Sequence, residues 1–333
     1  MPPISARSVR IHAFGGPEAL SIEDVEISSP GSGEVRLKIR AIGLNRTEIT
    51  LRSGRLPTKP ALPSAIGFEA AGAIEDVGRD VTGWRAGDRV ALVPAYSAAQ
   101  YALYGTMAIA PARTLVSIPD TVTFEQAAAT WAACGAAWAG LVATGDLKSQ
   151  QTVLITAASS SVGLAAIQIA RYIGARPIAL TRTALKAAPL LEHGAEAVLA
   201  VEDGDVVRKV KQLTGDKGVD LVLDAVGGPG FSTLMEATTS GGMLILYGAL
   251  STEPTVLSPF QIFARDLRIR GFALPAIARN DAHLAAMKKF VTAALADGSL
   301  CPVIDRTFPF EQIVDAHRFL ESGQQVGKVV VTV

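Results

Sequence analysis

The chain has 333 residues, with 31 Lys and Arg against 31 Asp and Glu, a formal net charge of zero, and 49% hydrophobic and 19% charged residues. That balance describes a well-buried globular protein with length for two domains, excludes a disordered chain, and offers nucleic acid or an anionic membrane no basic stripe. The two cysteines, Cys134 and Cys301, lack metal-ligand spacing, and the opening MPPISARSVRIHAFGG lacks an apolar signal core, so a reducing, cytoplasmic setting is expected.

In the first 120 or so residues, stretches such as EVRLKIRAIGLN (34–45) and AGAIEDVG (71–78) alternate apolar and polar residues. This predicts an antiparallel, partly barrel-like domain. From 126 to 145 there is no charge, but the run is Ala, Gly and Thr with few large aliphatics. It predicts a buried helix in preference to a membrane span. From 151 to 274 the runs QTVLITA, RPIALTR, AEAVLAV, VDLVLDAV, GGMLILYGA and LRIRGFAL alternate with helical patterns, three of them closed by Gly174, Gly194 and Gly215. Continuous apolar strands alternating with helices predict a doubly wound parallel sheet. Helices at 280–298 and 310–323 and a strand at 327–333 come next, so a β-rich domain is expected to be interrupted by an inserted nucleotide-type domain.

TAASSSVG (156–163) lies between a strand and a helix, where a nucleotide-binding turn carries glycines. Those glycines permit the tight turn, the approach of backbone to pyrophosphate and close helix–strand packing. With Gly163 as the last of them, Ala158 and Ser160 stand at the other two places. A helix start still offers free N–H groups, a positive dipole end and serine hydroxyls. The turn therefore reads either as a pyrophosphate cradle or as serines capping a helix. The next strand ends in ALTRTALK, with Thr181, Arg182, Thr183 and Lys186 and no carboxylate before Glu192. Cations and hydroxyls attract a 2′-phosphate that an acid would repel, which predicts NADP(H). The alternative is that Arg182 and Lys186 are solvated charges at a helix start.

GLNRTEI (43–49), IGFEAAGAIEDVG (66–78), AGDRV (86–90), AASSSVG (157–163), VDLVLDAVGG (219–228) and GKVVV (327–331) occur in the order and spacing of a known family. Together they resemble the medium-chain dehydrogenase/reductase superfamily, specifically its zinc-free, quinone oxidoreductase-like branch, over essentially the whole chain. The resemblance implies an α/β protein with a GroES-like β-rich catalytic domain at 1–123 and 266–333. A Rossmann doubly wound parallel-sheet domain would occupy 124–265, with NADPH in a cleft between the domains. A homodimer paired through the strand near 242–250 is also implied.

Zinc-dependent relatives place a Cys in the stretch matching NRTE and a His in that matching GFE. Here Asn45 and Phe68 stand there, and Glu48 and Glu69 alone make a poor site. No cysteine precedes Cys134, which reads as a packed thiol, and His12, His193, His283 and His317 occur singly, as surface or helix residues. No metal is expected. For the cofactor, the resemblance implies Asn45 and Thr130 near the nicotinamide and Ser159, Ser160, Ser161 and Val162 at the pyrophosphate. Thr181, Arg182 and Lys186 would meet the 2′-phosphate. Val226 and Gly227 would follow the fourth strand, and Tyr247 and Gly248 the fifth. Phe272 and Leu274 would close over the nicotinamide, with Lys328 coming from the terminal strand.

The implied catalytic lining is Asn45, Arg46 and Thr47. Asn45 would contact the nicotinamide ribose or donate to a substrate oxygen, while Arg46 either holds an anionic group or points to solvent. Without a Lewis acid, hydride removal from an alcohol is difficult, whereas hydride addition to a quinone or enone needs only positioning and hydrogen-bond donors. Tyr96, Tyr101 and Tyr104 read as packing, or one of them as a proton donor. Met107 and Ile109 replace a tyrosine and a glutamate of many relatives, making that wall more apolar, and Val201 replaces a tyrosine found in some. The expected function is NADPH-dependent reduction of a quinone or an α,β-unsaturated carbonyl. A zinc-type alcohol dehydrogenase with altered ligands and a catalytically silent NADPH-binding protein are the alternatives. A methyltransferase on the same plan leaves Arg182, Lys186 and the β-rich domain unexplained.

Overall fold

The computed structural model describes residues 3–56, 58–96 and 100–333. The chain divides into two compact units, Met1–Ala132 with Pro302–Val333, and Ala133–Cys301.

In the first unit the alternating runs form β1 (Ile4–Ile11), β2 (Leu20–Ile27), β3 (Glu34–Gly43), β4 (Ser64–Ala65), β5 (Ala70–Val77), β6 (Arg89–Leu92), β7 (Met107–Pro111) and β8 (Leu115–Ser117). β2, β1 and β4 make a small antiparallel sheet. A larger sheet runs β15–β16–β3–β5–β6–β8, with β7 also paired to β3; β15 is Ile304–Pro309 and β16 is Lys328–Thr332. The core between them takes one face of each strand, including Val35, Leu37 and Ile39 of β3, closed by Phe310 and Leu320.

The second unit holds β9 (Thr152–Thr156), β10 (Arg176–Thr181), β11 (Ala197–Ala200), β12 (Val219–Asp224), β13 (Thr238–Leu246) and β14 (Arg268–Gly271). All six pair in parallel in the order β11–β10–β9–β12–β13–β14, the 3-2-1-4-5-6 order of a dinucleotide-binding sheet. The order reverses at β9, so the loop after β9 lies at the switch point. Helix Ser161–Ile173 buries one face against the sheet and ends at Gly174, whose φ of 84° fits the left-handed cap.

Three expectations change. The return to the β-rich unit falls after Cys301, not at 266, because β14 is stitched to β13 and the following helices stay with that sheet. The strand near 242–250 is interior, flanked by β12 and β14, and so has no free edge to pair across a dimer. Short helices at Phe231–Ala237, Pro259–Ala264 and Leu274–Ala278 add to the expected elements; at five to seven residues they are too brief for periodicity to register. The uncharged run forms the helical stretch Phe124–Thr144, which is long and apolar enough to cross a membrane, yet 83% of its most apolar window is buried within the protein.

Candidate active site

In the β-rich unit, β3 delivers Asn45 to the start of helix Arg46–Arg52, and β16 begins with Lys328. Lys328 is almost wholly buried, and its Nζ donates to Glu69 Oε2 at 2.6 Å and to Asn45 Oδ1 at 2.7 Å. Glu69, fully buried, also accepts the Ala132 N–H at 2.7 Å through Oε1. The Asn45 amide donates from Nδ2 to Gly43 O at 3.0 Å and to Glu48 Oε1 at 3.4 Å. These partners fix its orientation: an ammonium only donates and a carbonyl only accepts, so the flipped amide would place like groups together. Asn45 Oδ1 thus faces the Lys328 ammonium, and its amide nitrogen faces Gly43 O and Glu48.

Glu48 accepts the N–H groups of Asn45 and Phe68 and is fully buried; desolvation, partly offset by Lys328, raises its pKa to about 7. Arg46 is half-buried and Thr47 exposed, while Thr130 is buried with its hydroxyl donating to Gln126 O at 2.7 Å. The three tyrosines pack. Tyr96 donates to Phe68 O at 2.6 Å, and Tyr101 donates to Glu34 Oε1 at 2.7 Å with its pKa raised to about 12 by burial and that carboxylate. Burial, with Glu69 and Glu48 nearby, holds the Tyr96 and Tyr104 phenols well above 10. Met107 and Ile109 line a shallow hollow with Ser8, Arg10 and Tyr101, a set that does not include Asn45 or Glu48.

Of the surface and helix settings expected for the histidines, His317 takes the second, within helix Ile313–Ser322. It lies in the core, edge-on to Tyr104 at 5.8 Å, with neither ring nitrogen hydrogen-bonded among the described residues. Burial and the neighbouring Arg52 lower its pKa to about 3.

In the second unit the turn after β9 fits a dinucleotide phosphate. A Cβ on Gly163 would lie 2.6 Å from Ala158 C and Cα and closer still to its carbonyl oxygen, so only glycine lets the helix start this near the turn. Ser160 caps the helix, its Oγ accepting the Gly163 N–H at 3.1 Å. Ser161 and Val162 occupy the first helical turn, where N–H groups have no intrahelical acceptor. The capping reading holds for Ser160, and the helix start keeps the N–H groups that a pyrophosphate would need. Lys186 Nζ lies 3.5 Å from Ser159 Oγ, which brings that cation over the turn.

Arg182 is exposed at the end of β10, whereas Thr181 is buried and its hydroxyl donates to Thr183 O at 2.7 Å. At the end of β12, Asp224 organises the loop: it accepts Thr156 Oγ1 at 2.6 Å, Val226 N at 2.9 Å and Gly227 N at 2.8 Å. The φ of 65° at Gly227 suits that turn, and its N–H is directed at Asp224. Tyr247 stacks on Phe272 at 6.0 Å, beside Gly248, and Leu274 opens the helix that packs on Gly135. Asp224 and Glu202 are residues that sequence reasoning missed, and Glu69, weighed there only as a metal ligand, pairs instead with Lys328. Asp224 and Glu69 lie inside motifs that the sequence displays, but nothing local shows what a buried acid will pair with.

A GroES-like β-rich unit with a buried Asn–Lys–Glu cluster and a Rossmann sheet with a phosphate-type turn at its switch point define a two-domain, dinucleotide-dependent oxidoreductase. The model for the alcohol dehydrogenase GroES-like domain matches residues 31–120, and that for zinc-binding dehydrogenase matches 161–291. Human quinone oxidoreductase is 30% identical over 329 residues, 98% of this chain and 97% of that one. The crystal structure of Escherichia coli quinone oxidoreductase complexed with NADPH superposes with a TM-score of 0.90 at 29% identity, covering 98% of this chain and 100% of that one. An NAD-dependent alcohol dehydrogenase structure also superposes at 0.90, with 31% identity and 98% and 99% coverage. The chain belongs to the medium-chain dehydrogenase/reductase superfamily, in its quinone oxidoreductase-like branch, and is an oxidoreductase.

Proposed function

We propose that this protein reduces a quinone or an α,β-unsaturated carbonyl with NADPH and without a metal ion. The observation that carries the reading is the turn after β9, where Gly163 seats the helix against Ala158 and the helix start offers its first amide groups at the switch point. Bound NADPH supplies a hydride to the electron-poor carbon of the acceptor. Ser159, Ser160 and the N–H groups of Ser161 and Val162 would hold the pyrophosphate, with Arg182 and Lys186 toward the 2′-phosphate. Asn45 Oδ1, held by Lys328, would receive a hydroxyl group, and the proton for the reduced oxygen would come from solvent, since the three tyrosines are engaged or deeply buried. The roles given to Arg46, Thr47, Thr130, Val226, Gly227, Tyr247, Gly248, Phe272 and Leu274 belong to the same proposal.

Independence of zinc is supported by the donor set itself. Asn45 has both ends of its amide engaged, Phe68 offers no ligand atom, and Glu69 is neutralised by Lys328. Among the described residues no three His, Cys, Asp or Glu side chains gather in a metal-binding arrangement. We further infer a cytoplasmic homodimer. Among the described residues Cys134 and Cys301 form no disulfide, which suits a reducing compartment, and β14, at the end of its sheet, follows the helix that carries the exposed Phe260 and Phe263.

The deciding experiment is fluorescence titration of NADPH and NADH, followed by nucleotide oxidation against a panel of quinones and enones. Turnover with a quinone or enone is expected. NADPH binding without turnover on any acceptor would favour a silent binding protein, and stoichiometric zinc in protein purified without chelator would overturn the metal-free reading.

A further inference from the structure

The turn after β10 holds a carboxylate that the linear sequence places elsewhere. Glu202 follows β11, and its Oε1 accepts the Ala184 N–H at 3.0 Å. Its own N–H donates to Arg182 O at 3.1 Å, and the Val201 N–H donates to Thr181 O at 3.0 Å. The segments 181–184 and 201–202 are therefore laced side by side, which brings Glu202 against the backbone of the loop that carries Arg182 and Lys186. Thr181 donates its hydroxyl to Thr183 O, Lys186 reaches toward Ser159, and Arg182 is exposed. The end of β10 in a Rossmann sheet is where a ribose 2′-substituent is read: an acid there receives a 2′-hydroxyl, and a cation there attracts a 2′-phosphate. This chain supplies the cations from the loop after β10 and the acid from the strand beside it.

We propose that Glu202 sets the cofactor preference of this protein, its carboxylate receiving the ribose 2′-hydroxyl of NADH and opposing the 2′-phosphate of NADPH, so that both nucleotides bind. The inference rests on the reading that the chain binds a nicotinamide dinucleotide. Glu202 is exposed, so its field is screened by water and salt, and the effect is one of balance between two ligands. The carboxylate also occupies the Ala184 N–H, a donor that a phosphate oxygen would otherwise take. Removing the charge while keeping an acceptor there separates the two contributions.

Dissociation constants for NADPH and NADH, measured by fluorescence titration at low and high salt, test this in the full chain, in Glu202→Gln and in Glu202→Lys. Gln retains a carbonyl oxygen for Ala184, so hydrogen exchange of that amide should stay as in the parent. The expected result is a parent that binds both nucleotides. In Glu202→Gln the preference for NADPH should rise roughly tenfold, the charge reversal should raise it further, and added salt should shrink both changes. An unchanged ratio in both variants overturns the inference while leaving the dinucleotide reading intact. Weaker NADPH binding in Glu202→Gln also overturns it, since the carboxylate would then serve only to order the loop. A parent that binds neither nucleotide overturns the cofactor reading and this inference together.

Discussion

Replacing Lys328 with methionine tests the buried cluster most directly. Lys328 and Glu69 are each at most 1% exposed, and Lys328 Nζ sits 2.6 Å from Glu69 Oε2 and 2.7 Å from Asn45 Oδ1. Methionine fills the volume of the lysine stem but leaves the Glu69 carboxylate buried with the Ala132 N–H as its remaining charge-stabilising contact. Stranding one member of such a pair destabilises by about 3–5 kcal/mol. Glu69→Gln strands the ammonium instead and should cost a similar amount. The double variant Glu69→Gln/Lys328→Met removes both charges while keeping volume, and its loss should be well below the sum of the singles. Chemical denaturation of the three variants, followed by a probe in the β-rich unit, measures the coupling. Strict additivity would refute the ion pair as the organising interaction. In the double variant Asn45 loses its fixed orientation, so kcat should fall by up to about a hundredfold even where the fold survives. A folded double variant with parental kcat would show that Asn45 needs no such fixing.

Three further outcomes are expected. His317→Leu should be close to neutral at pH 7, since it removes a buried ring with no hydrogen-bond partner. Its advantage over the parent should then grow by up to about 1.4 kcal/mol per pH unit as pH falls from 6.5 toward 3, because the unfolded histidine gains a proton that the buried one refuses. Glu48 runs the other way, protonated in the fold up to about 7 and losing stability as pH rises from 4.5, so the readout is the difference between variant and parent in urea denaturation. A difference that stays flat across that window would place His317 in water. Gly163→Ala should weaken dinucleotide binding and cost about 1–3 kcal/mol, because its Cβ would overlap the Ala158 backbone; unaltered titration and melting curves would contradict the close approach. If the proposed homodimer pairs through this region, Phe260→Glu/Phe263→Glu should yield monomer by sedimentation, since these rings are 75% and 67% exposed on the helix that precedes β14, and an intact dimer would move the interface elsewhere.

Local rules reach far in this chain. The period of its apolar residues dictates the strands and the longer helices, because a half-buried strand must alternate and a doubly covered one need not. Glycines at 174, 194 and 215 end helices for a reason visible in one residue, the ease of a positive φ. TAASSSVG is legible as a helix start able to hold phosphate because capping and free N–H groups are local properties. Contacts between residues remote along the chain are not legible in this way. Lys328 and Glu69 are 259 residues apart and meet only because β16 returns beside β3. Glu202 reaches the loop after β10 because β11 pairs with β10 in parallel, which aligns their carboxyl ends. The absence of a carboxylate from Thr181 up to Glu192 is true of the sequence and incomplete for the site. Pairing partners, amide orientation and the burial that shifts Glu48 and His317 are properties of packing, and only the tertiary structure decides them.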